Sequence, residues 1–141
     1  MNYLLDTNVV SEWAKPQPHE GVVEWLLDAD EDRLFLSVLS IAEIRRGVEL
    51  LPESSRRERL FEWLLSDLSL RFEGRILTVS PDVAHQWGIS MAMAQKSGVA
   101  LSPMDGFFAA TALVHDLTLV TRNLQDFQRV GITLLNPWEL E

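Results

Sequence analysis

Five polar side chains of this 141-residue chain lie where predicted strands end or where the helices beside them begin. Asp6 directly follows a short apolar run, and Glu43 falls in the first turn of a helix predicted after the second strand. Asp105 falls in the first turn of another predicted helix, and Asn123 and Asp126 follow a later strand. Because the carboxyl ends of parallel strands meet at one edge of a sheet, we expect these side chains to lie together.

Carboxylates gathered at one edge repel one another unless a cation neutralises them. Oxygen ligands without His or Cys suit Mg²⁺ or Mn²⁺ better than zinc. The chain has no Cys, and His19, His85 and His115 show no ligand spacing. A hard cation that is open on one side binds phosphate oxygens and activates a water molecule for in-line attack. The pattern therefore predicts a divalent-metal site that acts on a phosphate group.

Each of these residues also has a purely structural interpretation. Asp6 or Thr7 can cap the helix that follows the first strand. Ser40 and Glu43 have the S-x-x-E spacing of a capping box, and Asp105 at the third helical position complements the helix dipole. Both interpretations stay open for each residue taken alone. The occurrence of acids after three different strand elements favours the metal site.

The elements that must position these residues are strands alternating with helices. Apolar runs predict strands at the start of the chain and at residues 33–38, 75–79, 117–121 and 132–135. Helical patterns cover the segment after Asp6 and residues 19–27, 40–51, 53–72, 81–98 and 104–115, two of which open with Ser-Pro start signals. This alternation predicts an α/β fold, a three-layer α/β/α sandwich with a central parallel sheet, as a single domain over residues 1–141.

Composition places the chain among ordinary globular proteins. It is 47% hydrophobic and 23% charged, with a formal net charge of −9. No apolar run approaches the roughly 20 residues that span a bilayer, and no signal peptide is visible, so we expect a cytoplasmic protein without membrane association. The negative charge argues against a general nucleic-acid coat, which needs clustered Lys and Arg. It does not exclude an enzyme that contacts nucleic acid at one metal site.

Other phosphate chemistries lack their motifs. The chain has no G-x-x-x-x-G-K-[ST] loop and no G-x-G-x-x-G after the first strand, which excludes a P-loop enzyme and argues against a dinucleotide site. A G-x-S-x-G elbow is missing too, and the D-T-N-V segment lacks the second Asp of a D-x-D phosphatase. A receiver-like phosphoacceptor would need an Asp at the end of the third strand, where Val79 is followed by Ser80.

Five segments together resemble a known family. The segments LLDTNVVSE, SIAEIRRGVELLP, SPMDGFFAATAL and LTLVTRNLQDF resemble PIN domains, specifically VapC-type toxins of bacterial toxin–antitoxin pairs. The closing GITLLNPWE resembles the FitB-like branch, and the resemblance covers essentially the whole chain. It implies a PIN fold, a metal-dependent ribonuclease acting on RNA, and inhibition by a cognate antitoxin that is a small DNA-binding protein. It also suggests a homodimer within a toxin–antitoxin complex.

The resemblance also implies roles for individual residues. Asp6, Glu43 and Asp105 match the metal-binding acids, with Mg²⁺ as the expected ion and Mn²⁺ as the alternative. Asp6 and Asp105 are expected to ligate the main ion, and Glu43 to share it or bind a second one. Thr7 and Asn8 are expected to orient Asp6 or the attacking water.

A fourth acidic position falls in the segment TRNLQDF. Many relatives have an acid where this chain has Asn123, so we expect Asp126 to supply that charge while Asn123 donates a hydrogen bond. Arg45 and Arg46 either steer RNA, face the antitoxin or lie solvated on the surface. The alternative function is a non-catalytic PIN-like interaction module that binds a protein partner and no metal.

Overall fold

Five parallel strands form the centre of the computed structural model, which describes residues 1–140. The strand order is β3-β2-β1-β4-β5, and every neighbouring pair is parallel. The strands are β1 Tyr3–Leu5, β2 Leu34–Ser37, β3 Ile76–Leu77, β4 Thr118–Val120 and β5 Leu134–Leu135. The first strand of the chain therefore occupies the middle of the sheet, as its apolar sequence predicts.

Helices connect the strands and cover the sheet. They are α1 Thr7–Val10, α2 Glu20–Asp28, α3 Val38–Leu50, α4 Ser55–Glu62, α5 Ser69–Arg71, α6 Pro81–Lys96, α7 Pro103–Val114 and α8 Leu124–Phe127. A 3₁₀ turn, Ser11–Ala14, continues α1, another lies at Glu31–Arg33, and a π-helical segment, Trp63–Leu68, joins α4 to α5. Within residues 1–140 no helix is both long and apolar enough to cross a membrane.

Two apolar cores lie on opposite faces of the sheet. Successive residues of a strand point to opposite faces, so Leu5 belongs to one core and Leu4 to the other. The first core includes side chains of α1, α2 and the π-helical segment, and the second includes side chains of α7 and α8. Full burial of each leucine contributes roughly 1.5–3 kcal/mol. Helices on both faces of a parallel sheet confirm the predicted α/β/α sandwich.

Serine side chains cap the starts of four helices, α3, α4, α6 and α7, and the cap of α3 differs from the prediction. Ser80 and Ser102 cap α6 and α7 ahead of Pro81 and Pro103, as predicted. Helix α3, however, is capped by Ser37, whose Oγ accepts a hydrogen bond from the Leu39 backbone N–H at 3.0 Å. The predicted capping box starting at Ser40 is wrong because the backbone turns helical three residues earlier, at the end of β2.

This earlier start changes the place of two polar residues. Ser40 lies inside the first turn of α3, where its side chain is fully buried. Glu43 lies in the second turn rather than the first. Both side chains are therefore available for contacts with other elements instead of capping their own helix.

Helices α6 and α7 approach closely at Gly106. A Cβ atom there would lie 2.6 Å from Met91 Sδ and 2.9 Å from Trp87 Nε1. The indole cannot move freely, because Nε1 donates a hydrogen bond to the Pro103 carbonyl at 3.0 Å and the ring stacks on Phe107. The helix pair therefore needs a residue without a side chain at position 106.

Gly106→Ala is expected to lower the free energy of unfolding by about 1–3 kcal/mol, the usual cost of overpacking. The matched control is Gly88→Ala in α6, where nothing lies within 4 Å of an added Cβ. That change is expected to raise the free energy of unfolding by about 0.5–1 kcal/mol through helix propensity. Urea unfolding of both variants measures the two values. Equal stability of Gly106→Ala and the wild type would contradict the close approach.

Candidate active site

Asp6 lies at the carboxyl end of the central strand, and both oxygens of its carboxylate accept hydrogen bonds. Its side chain is only 7% exposed. Oδ1 accepts from the Thr7 backbone N–H at 2.7 Å, which makes Asp6 the N-cap of α1. Oδ2 accepts from the Thr121 hydroxyl at 2.8 Å. Since Thr121 directly follows β4, the neighbour of β1 in the sheet, the two strand ends hold the carboxylate between them.

The environment of Asp6 makes its ionisation costly. Burial raises the pKa of Asp6 to about 6, although the hydrogen bonds from Thr121 and Thr7 act in the opposite direction. The negative charges of Glu43 and Asp105 raise the pKa further. A buried carboxylate with two acidic neighbours is a group that a nearby cation would stabilise.

Thr7 connects the first strand to α3. Its hydroxyl donates to Glu43 Oε1 at 2.5 Å and lies 2.9 Å from Ser40 Oγ. A hydroxyl has one proton, so while Thr7 donates to Glu43 it accepts from Ser40. The backbone of Thr7 therefore orients Asp6, and its side chain orients Glu43.

Asp105 brings α7 to the same site. It occupies the third position of that helix and is partly buried. Burial raises the pKa of Asp105, and the charges of Asp126 and Glu43 raise it further, while Ser102 acts in the opposite direction. Asp126 is exposed on α8, so it joins the acidic group from the solvent side.

Asn123 contributes through its backbone. Its N–H donates to Thr121 Oγ1 at 3.0 Å, and its side chain does not cap α8. This bond occupies the Thr121 hydroxyl as an acceptor, which leaves the hydroxyl proton for Asp6. The expected hydrogen bond from the Asn123 side chain is not among the contacts of the described residues.

The structure thus brings Asp6, Glu43 and Asp105 within electrostatic reach, with Asp126 beside Asp105. Within residues 1–140, no three Asp, Glu, His or Cys side chains converge closely enough to hold a metal ion in this conformation. Unneutralised carboxylates repel one another, and Glu43 is turned towards Thr7. In chemical type the donors are carboxylate oxygens alone, a set that fits Mg²⁺ or Mn²⁺. The ligand assignment remains a prediction.

Sequence reasoning missed two members of this network. The apolar run places Thr121 only as the last residue of a strand, and the S-x-x-E spacing places Ser40 only as a helix cap. The available signal for Thr121 was its position after β4, at the same edge as Asp6. Ser40 had no such signal, because its contact with Thr7 depends on how α3 packs against α1.

Comparison with known proteins identifies the family. A family model described as PIN domain matches residues 3–132. The chain belongs to the PIN domain family. This finding confirms the fold and the family that the sequence segments indicate.

Relatives match this PIN domain over nearly its whole length. It is 38% identical over 135 residues to Toxin FitB of Neisseria gonorrhoeae, which covers 96% of this chain and 97% of that protein. It is 34% identical over 136 residues to VapC ribonuclease Y4jK of Sinorhizobium fredii, again covering 96% and 97%. A chain in the solved structure of FitAB bound to an IR36 DNA fragment superposes with a TM-score of 0.93 at 37% identity, covering 99% of this chain and 97% of that one. The predicted likeness to FitB and VapC toxins is confirmed.

Asp6→Asn is expected to stabilise the metal-free protein at pH 7. The pKa difference between 3.8 and about 6 sets an upper limit of roughly 3 kcal/mol, at about 1.4 kcal/mol per pKa unit. The folded wild type binds the Asp6 proton more tightly than the unfolded chain, so it loses stability as the pH rises through this interval. The gain in the variant should therefore be present at pH 7, shrink as the pH falls through 6 and vanish below 3.8.

Urea unfolding at several pH values, in EDTA, measures this effect. The matched control is Asp30→Asn, an exposed N-cap whose Oδ1 accepts from the Asp32 N–H at 3.1 Å. Asn caps as well as Asp, so the control should change stability by less than about 0.5 kcal/mol. A wild type as stable as Asp6→Asn at pH 7 would show that ionisation of Asp6 costs the fold nothing.

Proposed function

We propose that this PIN domain is the toxin of a toxin–antitoxin pair and acts as a metal-dependent endoribonuclease. The observation that carries the proposal is the buried Asp6 carboxylate, with its raised pKa and with Glu43 and Asp105 as acidic neighbours. An arrangement of this kind lowers stability, and such costs concentrate at functional sites. The reaction is hydrolysis of an RNA phosphodiester bond by water, which the likeness to a protein named VapC ribonuclease supports.

The cofactor we propose is Mg²⁺, with Mn²⁺ as the alternative. Asp6, Asp105 and Glu43 would hold it, and Asp126 would add the fourth negative charge. When bound, such an ion activates water and offsets the charge that builds on the phosphate.

The remaining polar groups prepare the acids for this role. The Thr121 hydroxyl and the Thr7 N–H hold the two oxygens of Asp6 in place, so that its orientation is fixed before the substrate arrives. The backbone N–H of Asn123 fixes the Thr121 hydroxyl in turn. The hydroxyl of Thr7 holds Glu43, and this contact must loosen if Glu43 is to turn towards an ion.

Cleavage of a mixed RNA pool is expected to require Mg²⁺ and to stop in EDTA. Asp6→Asn and Asp105→Asn should each lower the rate more than about 100-fold, because a lost ligand removes several kcal/mol of transition-state stabilisation. The matched control is Asp82→Asn, since Asp82 also lies in the first turn of a helix that opens with Ser-Pro. It should cleave like the wild type. Equal activity of Asp105→Asn and Asp82→Asn would restrict Asp105 to a structural role.

The partner we propose is a small DNA-binding antitoxin, with the toxin as a homodimer in their complex. The support is the 0.93 TM-score to a chain of FitAB, a complex solved on a DNA fragment. Expression of the wild type alone is expected to arrest bacterial growth, and expression of Asp6→Asn is expected to permit it. Growth counts after induction, with protein levels matched by blotting, measure the difference. Arrest by both proteins at equal levels would favour the non-catalytic interaction module over the nuclease.

A further inference from the structure

An open groove of about 320 Å³ leads away from the candidate active site formed by Asp6, Glu43 and Asp105. Thr7 and Glu43 line it together with apolar residues that include Ile44, Val48 and Leu51, and with Lys15, Arg56 and Trp63. An adjoining hollow of about 410 Å³ shares the last three of these residues and adds Arg59. The two spaces together form a continuous path, which we call the basic groove, from the candidate metal ligands to the face of α4.

The basic groove carries uncompensated positive charge in a chain whose formal net charge is −9. Arg56 and Arg59 are three residues apart on α4 and therefore share one face. Neither makes a side-chain ion pair with any of residues 1–140. Arg57 between them is tied instead to Glu49 and to the Val48 carbonyl. The two guanidinium groups that reach the groove are thus available for an anion.

Lys15 is anchored at the rim of the groove by a buried acid. Its ammonium group pairs with Glu12, whose side chain is only 2% exposed and which also accepts from the His19 backbone N–H at 2.9 Å. Burial acts to raise the pKa of Glu12, but the contacts with Lys15 and His19 outweigh it and hold that pKa below its ordinary value. An ionised Glu12 therefore fixes Lys15 beside the groove.

Part of the lining of the groove is apolar, and part of it comes from irregular helical backbone. Trp63 and Leu60 contribute to the apolar part, and Trp63 is also the first residue of the π-helical segment Trp63–Leu68. Such wide turns are rare in helices and frequently lie at functional sites. Here the segment follows α4 directly, and its first residue, Trp63, lines the same hollow as Arg56 and Arg59.

We propose that the basic groove binds the single-stranded RNA that flanks the scissile phosphate, with Arg56 and Arg59 on its phosphates and Trp63 against a base. This inference rests on the proposed nuclease function and names the binding site for its substrate. Cationic grooves with aromatic side chains bind single-stranded nucleic acids, because phosphates and base faces recur along the strand whatever its base sequence. The groove reaches Thr7 and Glu43, so an RNA strand bound along it would place a phosphate beside the acids. This continuity favours RNA over a protein segment as the occupant.

The test measures binding separately from cleavage. Fluorescence anisotropy of a short fluorescein-labelled single-stranded RNA is followed in EDTA, and a gel confirms that the RNA stays intact. The variant is Arg56→Gln/Arg59→Gln. The matched control, Lys96→Gln/Arg129→Gln, removes the same two charges from exposed positions that do not line the groove.

Loss of two phosphate contacts is expected to weaken binding about 25-fold at 0.1 M salt and to lower the slope of log K against log salt by about 1.4, at about 0.7 per contact. The control variant should bind like the wild type. In the cleavage assay with Mg²⁺, the groove variant should raise KM while kcat stays close to the wild-type value.

Three results would overturn the groove assignment: unchanged binding in the groove variant, equal weakening in both double variants, or loss of antitoxin binding with RNA binding intact. The last result would assign the groove to the protein partner. Failure of the nuclease proposal gives a different pattern. In that case the wild type cuts no RNA, while its binding in EDTA still depends on Arg56 and Arg59. If only the groove assignment is wrong, the wild type cuts RNA, but its binding in EDTA does not depend on Arg56 and Arg59.

Discussion

The buried carboxylate of Asp6 is the group on which the arrangement of the site depends. A carboxylate removed from water costs several kcal/mol unless hydrogen bonds or a cation compensate it. The fold supplies two hydrogen bonds, one from the start of α1 through the Thr7 N–H and one from the end of β4 through Thr121. Because β1 and β4 are neighbouring parallel strands, both donors reach the same side chain. The central position of β1 in the sheet thus fixes the position of the acid.

The two hydrogen bonds offset only part of the cost of burying the ionised Asp6 carboxylate, and the site therefore favours a nearby cation. The pKa of about 6 shows that burial and the neighbouring acids outweigh the two hydrogen bonds. Burial also raises the pKa of Asp105, and repulsion from Asp126 and Glu43 adds to this effect. A fold selected for stability alone would replace such a group with an amide. Retention of carboxylates is expected where a cation supplies the missing compensation during function.

Charge is distributed unevenly around this site. The acids lie at the carboxyl edge of the sheet, while Lys15, Arg56 and Arg59 line the groove that begins beside Glu43. The two sets would neutralise each other if they were in contact, yet the ion pairs of the described residues do not join them. Separation of this kind leaves the acids for the proposed metal ion and the guanidinium groups for the proposed RNA phosphates. It also explains how a chain with a net charge of −9 can be expected to bind a polyanion.

The sequence by itself determined the strands, the Ser-Pro helix starts and the polar residues that follow strand ends, since apolar periodicity and capping are local properties. It also identified the family, because several short segments match in order along the chain. Only the tertiary structure decided that Ser37 rather than Ser40 caps α3, that Thr121 holds Asp6, and that Glu12 is buried against Lys15. These contacts depend on how helices pack against the sheet. The basic groove has the same origin, since residues 15 and 56–63 meet only when α4 folds back beside the first 3₁₀ turn.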